Sequence, residues 1–468
     1  MLAYMAAGFS AIEVEEAVSG SLVRGEGEMK ASGVSTDSRS LQTGELFVPI
    51  SGPNFDGHDF IKTAFESGAA GCLAGRGRSR EEPEGGFIVE VEDTLGALGD
   101  LARYHRGRFE LPVVAVTGSN GKTTAKEMIG AILAEGAETL KSEGNLNNFI
   151  GLPLQVLGLG PEHERAVFEM GMNRPGEIRR LAEIATPTVA VITSVAPVHL
   201  EGLGSIEAVR DAKGELLEEM GTGGVAVLPG EDTQCAVLAD RFRAQGGRVL
   251  TFGFEAKNDL CAANVQMSER GEVSFRIRIG GGEEEVRLPV VGRHNALNAL
   301  AAAAAASELG SPLEEIVRGL EEAAPPAMRL GVEDLAGGIF LLNDAYNANP
   351  TSVRMAIETV CELKGAGRAF AVLGDMRELG AFEEFAHAEV GRAAAGADID
   401  FLATVGPAMR LAANEAHRAG MAIDRAEVFS SPEEAAAWVA ERAMPGDWVL
   451  IKGSRSMAME RAVEALRG

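Results

Sequence analysis

A lysine that follows a glycine just past an apolar strand is placed to meet a phosphate. The sequence has one in LPVVAVTGSNGKTTAKEMIGAIL, running from Leu111 to Leu133. Gly118 and Gly121 let the backbone turn its N–H groups inward. Lys122 supplies a point charge for β- and γ-phosphates, and the Thr123 hydroxyl can hold Mg2+. The β-branched run before the loop and the helix formers after it read as strand, loop and helix. The loop is short, however. The standard spacing Gly-x-x-x-x-Gly-Lys wants a glycine where this chain has Val116.

Two more strand ends offer hard ligands. Glu169 closes RAVFEM, and a carboxylate in an apolar strand is costly unless it is paired or binds a metal. His199 sits in SVAPVHLEG, read as the end of the run TVAVITSV. A lone histidine there is more often a hydrogen-bonded structural residue than a ligand. Placed together beside a phosphate loop, Glu169 and His199 gain weight as Mg2+ sites. Lys213 lies in the helical pattern SIEAVRDAKGELLEEM, with Val209, Arg210, Leu216 and Leu217 three and four residues away. An apolar face and a second cation both favour the neutral amine. A neutral amine can add CO2 to give a carbamate, in effect a carboxylate. On spacing alone the simpler reading prevails, a lysine whose stem lies on apolar surface with its ammonium in water.

The elements that must hold these residues fall into three sections. Residues 1–93 mix short strands with turn clusters. Residues 94–325 alternate strands and helices in the grammar of a parallel sheet, with a β-richer part around GEVSFRIRIGG. The pair Pro325-Pro326 punctuates the chain, and 326–468 reads as a second open α/β unit. There IFLLNDAYN, RAFAVLGDM, IDFLATVG and DWVLIKGS each end a strand before a helix. The fold class expected is α/β in three domains, the last one Rossmann-like. In such sheets ligands bind beyond the carboxyl ends of the strands.

Composition narrows the function. The chain has 43 basic and 69 acidic residues, a net charge of −26, which argues against a nucleic-acid backbone or an anionic membrane as partner. Cys72, Cys235, Cys261 and Cys361 form no Cys-x-x-Cys pair, so neither zinc nor a disulfide framework is suggested and a cytoplasmic setting fits. The start, MLAYMAAGFSAIEVEEAV, lacks a basic region and reads as a helix rather than a signal peptide. No run of about 18 apolar residues predicts a membrane span.

Nine motifs in one order, TGSNGKTT, EGNLNNFIGLP, EMGMNRPGEI, HLEGLGS, AKGE, GRHNALNALAAAA, NDAYNANP, LGDMRELG and KGSRS, run across nearly the whole chain. Together they resemble the Mur ligases. DAYNANP and LGDMRELG favour the member that joins D-alanyl-D-alanine to UDP-N-acetylmuramoyl-tripeptide. The Asp-Asn-Pro-Arg common in the sibling that adds diaminopimelate or lysine is absent. The resemblance accounts for the short loop, which the family uses. It implies transfer of the ATP γ-phosphate to a substrate carboxylate, attack on the acyl phosphate by an amine, and release of phosphate.

Residue by residue, the resemblance implies ATP contacts from Thr117, Gly118, Asn120, Gly121, Lys122, Thr123 and Thr124. It adds His294, Asn295 and Asn298, and Arg329, Asp344 and Tyr346 from the third section. It implies two Mg2+ sites drawing on Thr123, Glu169, His199 and Lys213, the last as a carbamate, which reverses the reading from spacing. Lys122, Glu169, His199 and Lys213 are then the catalytic set. Asp37, Ser38 and Arg39, with FVPISGPNFDGHDF, match the uridine and pyrophosphate region of a UDP-binding first domain. Asn145, Asn147 and Asn148 match the loop facing the sugar-peptide. Asn347, Asn349, Lys452, Ser454 and Arg455 fall on the acceptor side. A monomer is expected, and the domains are expected to converge on the site.

One position departs from the pattern: Met328 stands before Arg329 where the family usually has glycine, which permits conformations that methionine resists. The alternative within the family is a sibling ligase adding a single amino acid. Outside it stand a folylpolyglutamate-type enzyme, a non-catalytic nucleotide-binding scaffold and a mechanical NTPase.

Overall fold

The β-branched run before the phosphate loop forms the strand Val113–Thr117, buried on both faces, and the helix formers after it form Lys122–Ala134. This computed structural model describes residues 8–78, 85–279 and 281–468. Residues 1–7, the start of the expected N-terminal helix, lie outside the described residues; the helix itself runs Ala11–Ala17 under a Ser10/Glu13 capping box.

Val113–Thr117 belongs to a nine-stranded sheet. Arg165–Glu169 lies parallel on one side of it and Val189–Ile192 parallel on the other, pairing Glu169 with Val116 and Ile192 with Thr117. The chain leaves Val113–Thr117 for the edge strand Thr139–Lys141, returns as Arg165–Glu169, then crosses to Val189–Ile192. The order therefore reverses at the loop strand, and such a switch point opens a crevice beyond the strand ends. Further out the sheet stays parallel through Val225–Pro229, Arg248–Gly253 and Leu260–Met267. It then ends in two antiparallel partners, Glu272–Ile279 and Gly282–Val291. The alternating GEVSFRIRIGG thus extends the central sheet.

The faces of this sheet are covered differently. Helix Lys122–Ala134 and the alanine-rich helix Asn295–Glu308 bury one face, with Ile129, Ile132 and Leu133 wholly enclosed. Each such side chain contributes about 1.5–3 kcal/mol. A third helix, Leu313–Glu322, packs closely on the first: a Cβ on its Gly319 would stand 2.4 Å from Ile132 Cα. The opposite face packs with helix Thr94–Arg106 into a core that also contains Phe9, Val14, Leu46 and Val89 of the first section. The first section has its own five-stranded sheet, from Ser21–Arg24 at one edge to Val34–Ser35 at the other. Its shared core fixes it to the central sheet.

The last section carries a six-stranded sheet. Ile339–Asp344, Trp448–Lys452, Ala369–Gly374, Phe401–Val405 and Ala426–Phe429 run parallel, and Gly331–Leu335 is an antiparallel edge. Helices cover both faces over two separate apolar clusters. Asp344 and Lys452 end neighbouring strands in register, so this sheet also points its polar ends at the cleft.

Candidate active site

The phosphate loop is shaped from below and beside. Gly118 has φ +150° and Gly121 φ +82°. A Cβ on Gly118 would lie 2.0 Å from Thr193 Oγ1, and one on Gly121 would lie 2.2 Å from Asn298 Oδ1. Both glycines are therefore required by space as well as by conformation. The loop is tied to the end of the neighbouring strand: Asn120 N–H donates to Ser194 Oγ at 3.0 Å, and Thr193 Oγ1 donates to Asn120 O at 2.5 Å. Thr193 and Ser194 were missed in the sequence; polar residues directly after a buried parallel strand were the available signal. The Thr117 hydroxyl is buried and donates to Met170 O at 2.9 Å, so it braces the loop rather than lining it. Lys122 Nζ donates to Gly118 O at 2.8 Å. Burial holds the Lys122 ammonium below its ordinary pKa and Arg329 adds to this, while Glu169 opposes it.

A cleft of about 430 Å³ opens over this loop. Gly118, Asn120, Gly121, Lys122, Thr124, Glu169, His199, Lys213, His294, Asn295 and Asn298 line it from the central sheet. Glu169 Oε1 accepts from Asn147 Nδ2 at 2.7 Å, and its other oxygen, Oε2, is buried without a hydrogen-bond partner. Asn145, Asn147 and Asn148 all line the cleft. Asn148 Oδ1 also accepts from Gly151 N–H at 2.9 Å, at the start of the helix Gly151–Val156. Asn295 Nδ2 donates to Val291 O and Asn298 Nδ2 to Asn295 Oδ1. His294, desolvated and near Lys452, has its pKa lowered to about 4 and is neutral at pH 7.

Two expectations from spacing are corrected. Lys213 does not reach water: it is 2% exposed, with its pKa pushed well below the ordinary value by burial and then by Lys122. The neighbouring cation is Lys122, not Arg210, whose guanidinium is taken by Asp211 at 2.8 Å. Sequence spacing sees only one helix, whereas the cation comes from another. His199 does not end a strand. Val189–Ile192 stops seven residues earlier, and His199 is the left-handed residue, φ 54°, that opens the short helix Leu200–Leu203.

The last section closes the cleft with Arg329, Asp344, Tyr346, Asn347, Asn349 and Lys452. Arg329 lies 4.2 Å over the Tyr346 ring, and its Nη2 donates to Thr123 Oγ1 at 3.4 Å. Asn349 Nδ2 donates to Asn120 Oδ1 at 2.7 Å. Lys452 Nζ pairs with Asp344 at 2.5 Å and donates to Asn347 O at 2.8 Å. Burial lowers the Lys452 pKa and raises that of Asp344, each opposed by the other's charge. Glu378 was not singled out from LGDMRELG, yet it lines the cleft and meets His199 Nδ1 at 2.5 Å. That bond holds its carboxyl below the usual range. Met328 and Leu330, on either side of Arg329, have φ 56° and 53°. The position where glycine was expected does adopt a conformation that favours glycine.

Not every expected residue converges. Ser454 is buried and its hydroxyl accepts from Arg377 N–H at 2.9 Å, while Arg455 is exposed and pairs with Glu460. Neither lines the cleft. Asp37, Ser38 and Arg39 also lie outside the cleft lining, and the exposed Arg39 guanidinium pairs with Asp37 at 2.7 Å. In FVPISGPNFDGHDF, His58 Nε2 accepts from Gly75 N–H at 3.0 Å, so Nδ1 carries the hydrogen donated to Asp56.

The donor set suits a hard cation. The unpartnered, buried Glu169 Oε2 faces a cleft that His199 also lines, whereas Thr123 is not among the lining residues and its hydroxyl meets Arg329. Among the described residues, no three His, Cys, Asp or Glu side chains gather as a ready ligand set.

Three family descriptions match the chain: Mur ligase family, catalytic domain, at residues 30–106; Mur ligase middle domain at 116–306; and Mur ligase, glutamate ligase domain, at 328–455. The UDP-N-acetylmuramoyl-tripeptide--D-alanyl-D-alanine ligase of Bacillus subtilis is 38% identical over 97% of each chain. The chain belongs to the Mur ligase family. The Escherichia coli protein of the same name is 37% identical over 93% of each chain. Among solved Mur ligases, MurF from Acinetobacter baumannii superposes with a TM-score of 0.89 at 32% identity, over 99% of both chains. MurF ligase from Thermotoga maritima in complex with ADP gives 0.82 at 29% identity, over 93% of this chain and 96% of that one.

Proposed function

We propose that this Mur ligase uses ATP to join D-alanyl-D-alanine to UDP-N-acetylmuramoyl-tripeptide, through an acyl phosphate, as a cytoplasmic step of peptidoglycan precursor synthesis. The observation that carries the reading is the meeting of two strand-end clusters in one cleft. Lys122 and Glu169 come from the central sheet, and Arg329 and Lys452 from the last one. The ligases of this name from Bacillus subtilis and Escherichia coli support the substrates.

In this reading the loop N–H groups and Lys122 bind the β- and γ-phosphates. Arg329, held over Tyr346, brings charge from the other domain as negative charge gathers. His294, Asn295 and Asn298 support the loop and nucleotide, with Asp344 nearby. Bound Mg2+ would neutralise the repulsion between phosphate and carboxylate; Thr123, Glu169, His199 and carbamylated Lys213 would hold it. Asn147 orients Glu169, and Asn145 and Asn148 face the sugar-peptide. Asp37, Ser38 and Arg39 would take the UDP end. Asn347 and Asn349 would lie by the acceptor, with Lys452, Ser454 and Arg455 shaping that turn. The units 1–93, 94–325 and 326–468 act as a monomer whose closure keeps water from the acyl phosphate. Among the described residues no helix is long and apolar enough to cross a membrane.

The reading is tested by isolating the ligated product. Pentapeptide formed from tripeptide, D-alanyl-D-alanine and ATP supports it, whereas a product carrying one added amino acid assigns the enzyme to a sibling reaction.

A further inference from the structure

Glu378 lies in the loop between the strand Ala369–Gly374 and the helix Glu383–Gly396, both in the last domain. It reaches the central domain twice. Its carbonyl oxygen accepts from Glu201 N–H at 3.1 Å, and its Oε2 meets His199 Nδ1 at 2.5 Å. Gly380, φ +54°, backs onto the same segment, where a Cβ would stand 3.0 Å from Glu201 Cα. Both partners of the side-chain bond have left-handed backbones, φ 64° at Glu378 and 54° at His199. Such conformations persist in non-glycine residues where the surroundings enforce them, and they gather at functional sites. Here they aim two side chains at each other across a domain boundary.

We infer that Glu378 is a positioning residue that sets the tautomer of His199, and that it does so only when the last domain is closed on the central one. An ionised carboxylate only accepts, so Nδ1 carries the hydrogen and Nε2 is left with its lone pair. A histidine that binds a metal through one nitrogen is oriented by what accepts from the other. The inference rests on the proposed role of His199 in holding Mg2+. It adds that the central domain does not complete this ligand by itself. Closure supplies the carboxylate, so cation binding and domain convergence become linked.

The test uses the full chain with 15N-labelled histidine, saturated with an ATP analogue in the absence of divalent cation so that the domains are closed, comparing wild type with Glu378→Ala, Glu378→Gln and Glu378→Gly. Wild type should show His199 as the Nδ1–H tautomer, assigned by its loss in His199→Gln. Glu378→Ala should shift it toward Nε2–H, and Glu378→Gln, which keeps an acceptor oxygen, should hold it. The Mg2+ concentration for half-maximal turnover should rise roughly 10-fold to 100-fold in Glu378→Ala, and much less in Glu378→Gln. Glu378→Gly relieves the backbone, so it should unfold at no lower temperature than Glu378→Ala yet share its Mg2+ defect, which a merely structural role would not produce. An unchanged His199 tautomer in Glu378→Ala would overturn the inference whatever reaction the enzyme runs. A shifted tautomer with unchanged Mg2+ dependence would overturn the link to the cation and count against His199 as a ligand, leaving the ligase reading intact.

Discussion

Met328 gives a prediction whose size follows from one dihedral angle. Its φ of 56° is left-handed, and its carbonyl accepts from Tyr346 N–H at 3.3 Å, beside the ring on which Arg329 rests. A side chain in that region costs about 1–2 kcal/mol. Glycine removes the cost but takes back about 0.4–1 kcal/mol through its freer unfolded chain. Met328→Ala keeps the strain and loses the half-buried side chain. Met328→Gly should therefore be more stable than Met328→Ala by about 1 kcal/mol, read as a higher midpoint in urea unfolding. If the angle belongs to the closed arrangement, the same energy favours closure by about fivefold, and an ATP analogue should bind Met328→Gly up to about fivefold more tightly. An alanine variant as stable as the glycine variant would refute the reasoning.

Three further outcomes are expected. Lys213→Ala should lose ligase activity and regain part of it with added short carboxylic acids; full activity without additive would rule out the carbamate. His105 is 1% exposed, donates from Nε2 to Leu159 O at 2.8 Å, and is desolvated to a pKa of about 4. Its folded pKa lies below the unfolded value near 6.5, so it contributes stability above that pH. About 3 kcal/mol is lost as pH falls from about 6.5 through about 4; His105→Gln should flatten that part of the stability profile measured by denaturant unfolding. Lys452→Met leaves the buried Asp344 carboxylate without its ion-pair partner, with only the Leu330 N–H and the Arg329 charge to favour it, which should destabilise the protein by about 3–5 kcal/mol in urea unfolding. Adding Asp344→Asn should restore most of it, and no recovery would refute the pairing argument.

The sequence made the local elements legible because each is written in neighbouring residues. The loop between Val113–Thr117 and Lys122–Ala134, and the strand-end positions of Glu169, Asp344 and Lys452, follow from apolar runs that stop at polar turns. What could not be read was set by pairing across the fold. Lys213 feels the charge of Lys122 rather than that of its helix neighbour Arg210 because two elements converge in three dimensions. His199 looks like a strand end only until register shows that the strand stops at Ile192. Glu378 had no distinguishing neighbours, and its partner lies 179 residues away. The conformation at Met328 was legible only as a departure from the family's usual glycine.

The central claim is that this cleft couples ATP cleavage to one amide bond. Phosphate release from ATP, measured with UDP-N-acetylmuramoyl-tripeptide and either D-alanyl-D-alanine or single amino acids, tests it most directly. The account predicts release only when tripeptide and dipeptide are both present, matched mole for mole by the pentapeptide product. Release with a single amino acid in place of the dipeptide, or without the UDP-linked peptide, would contradict it.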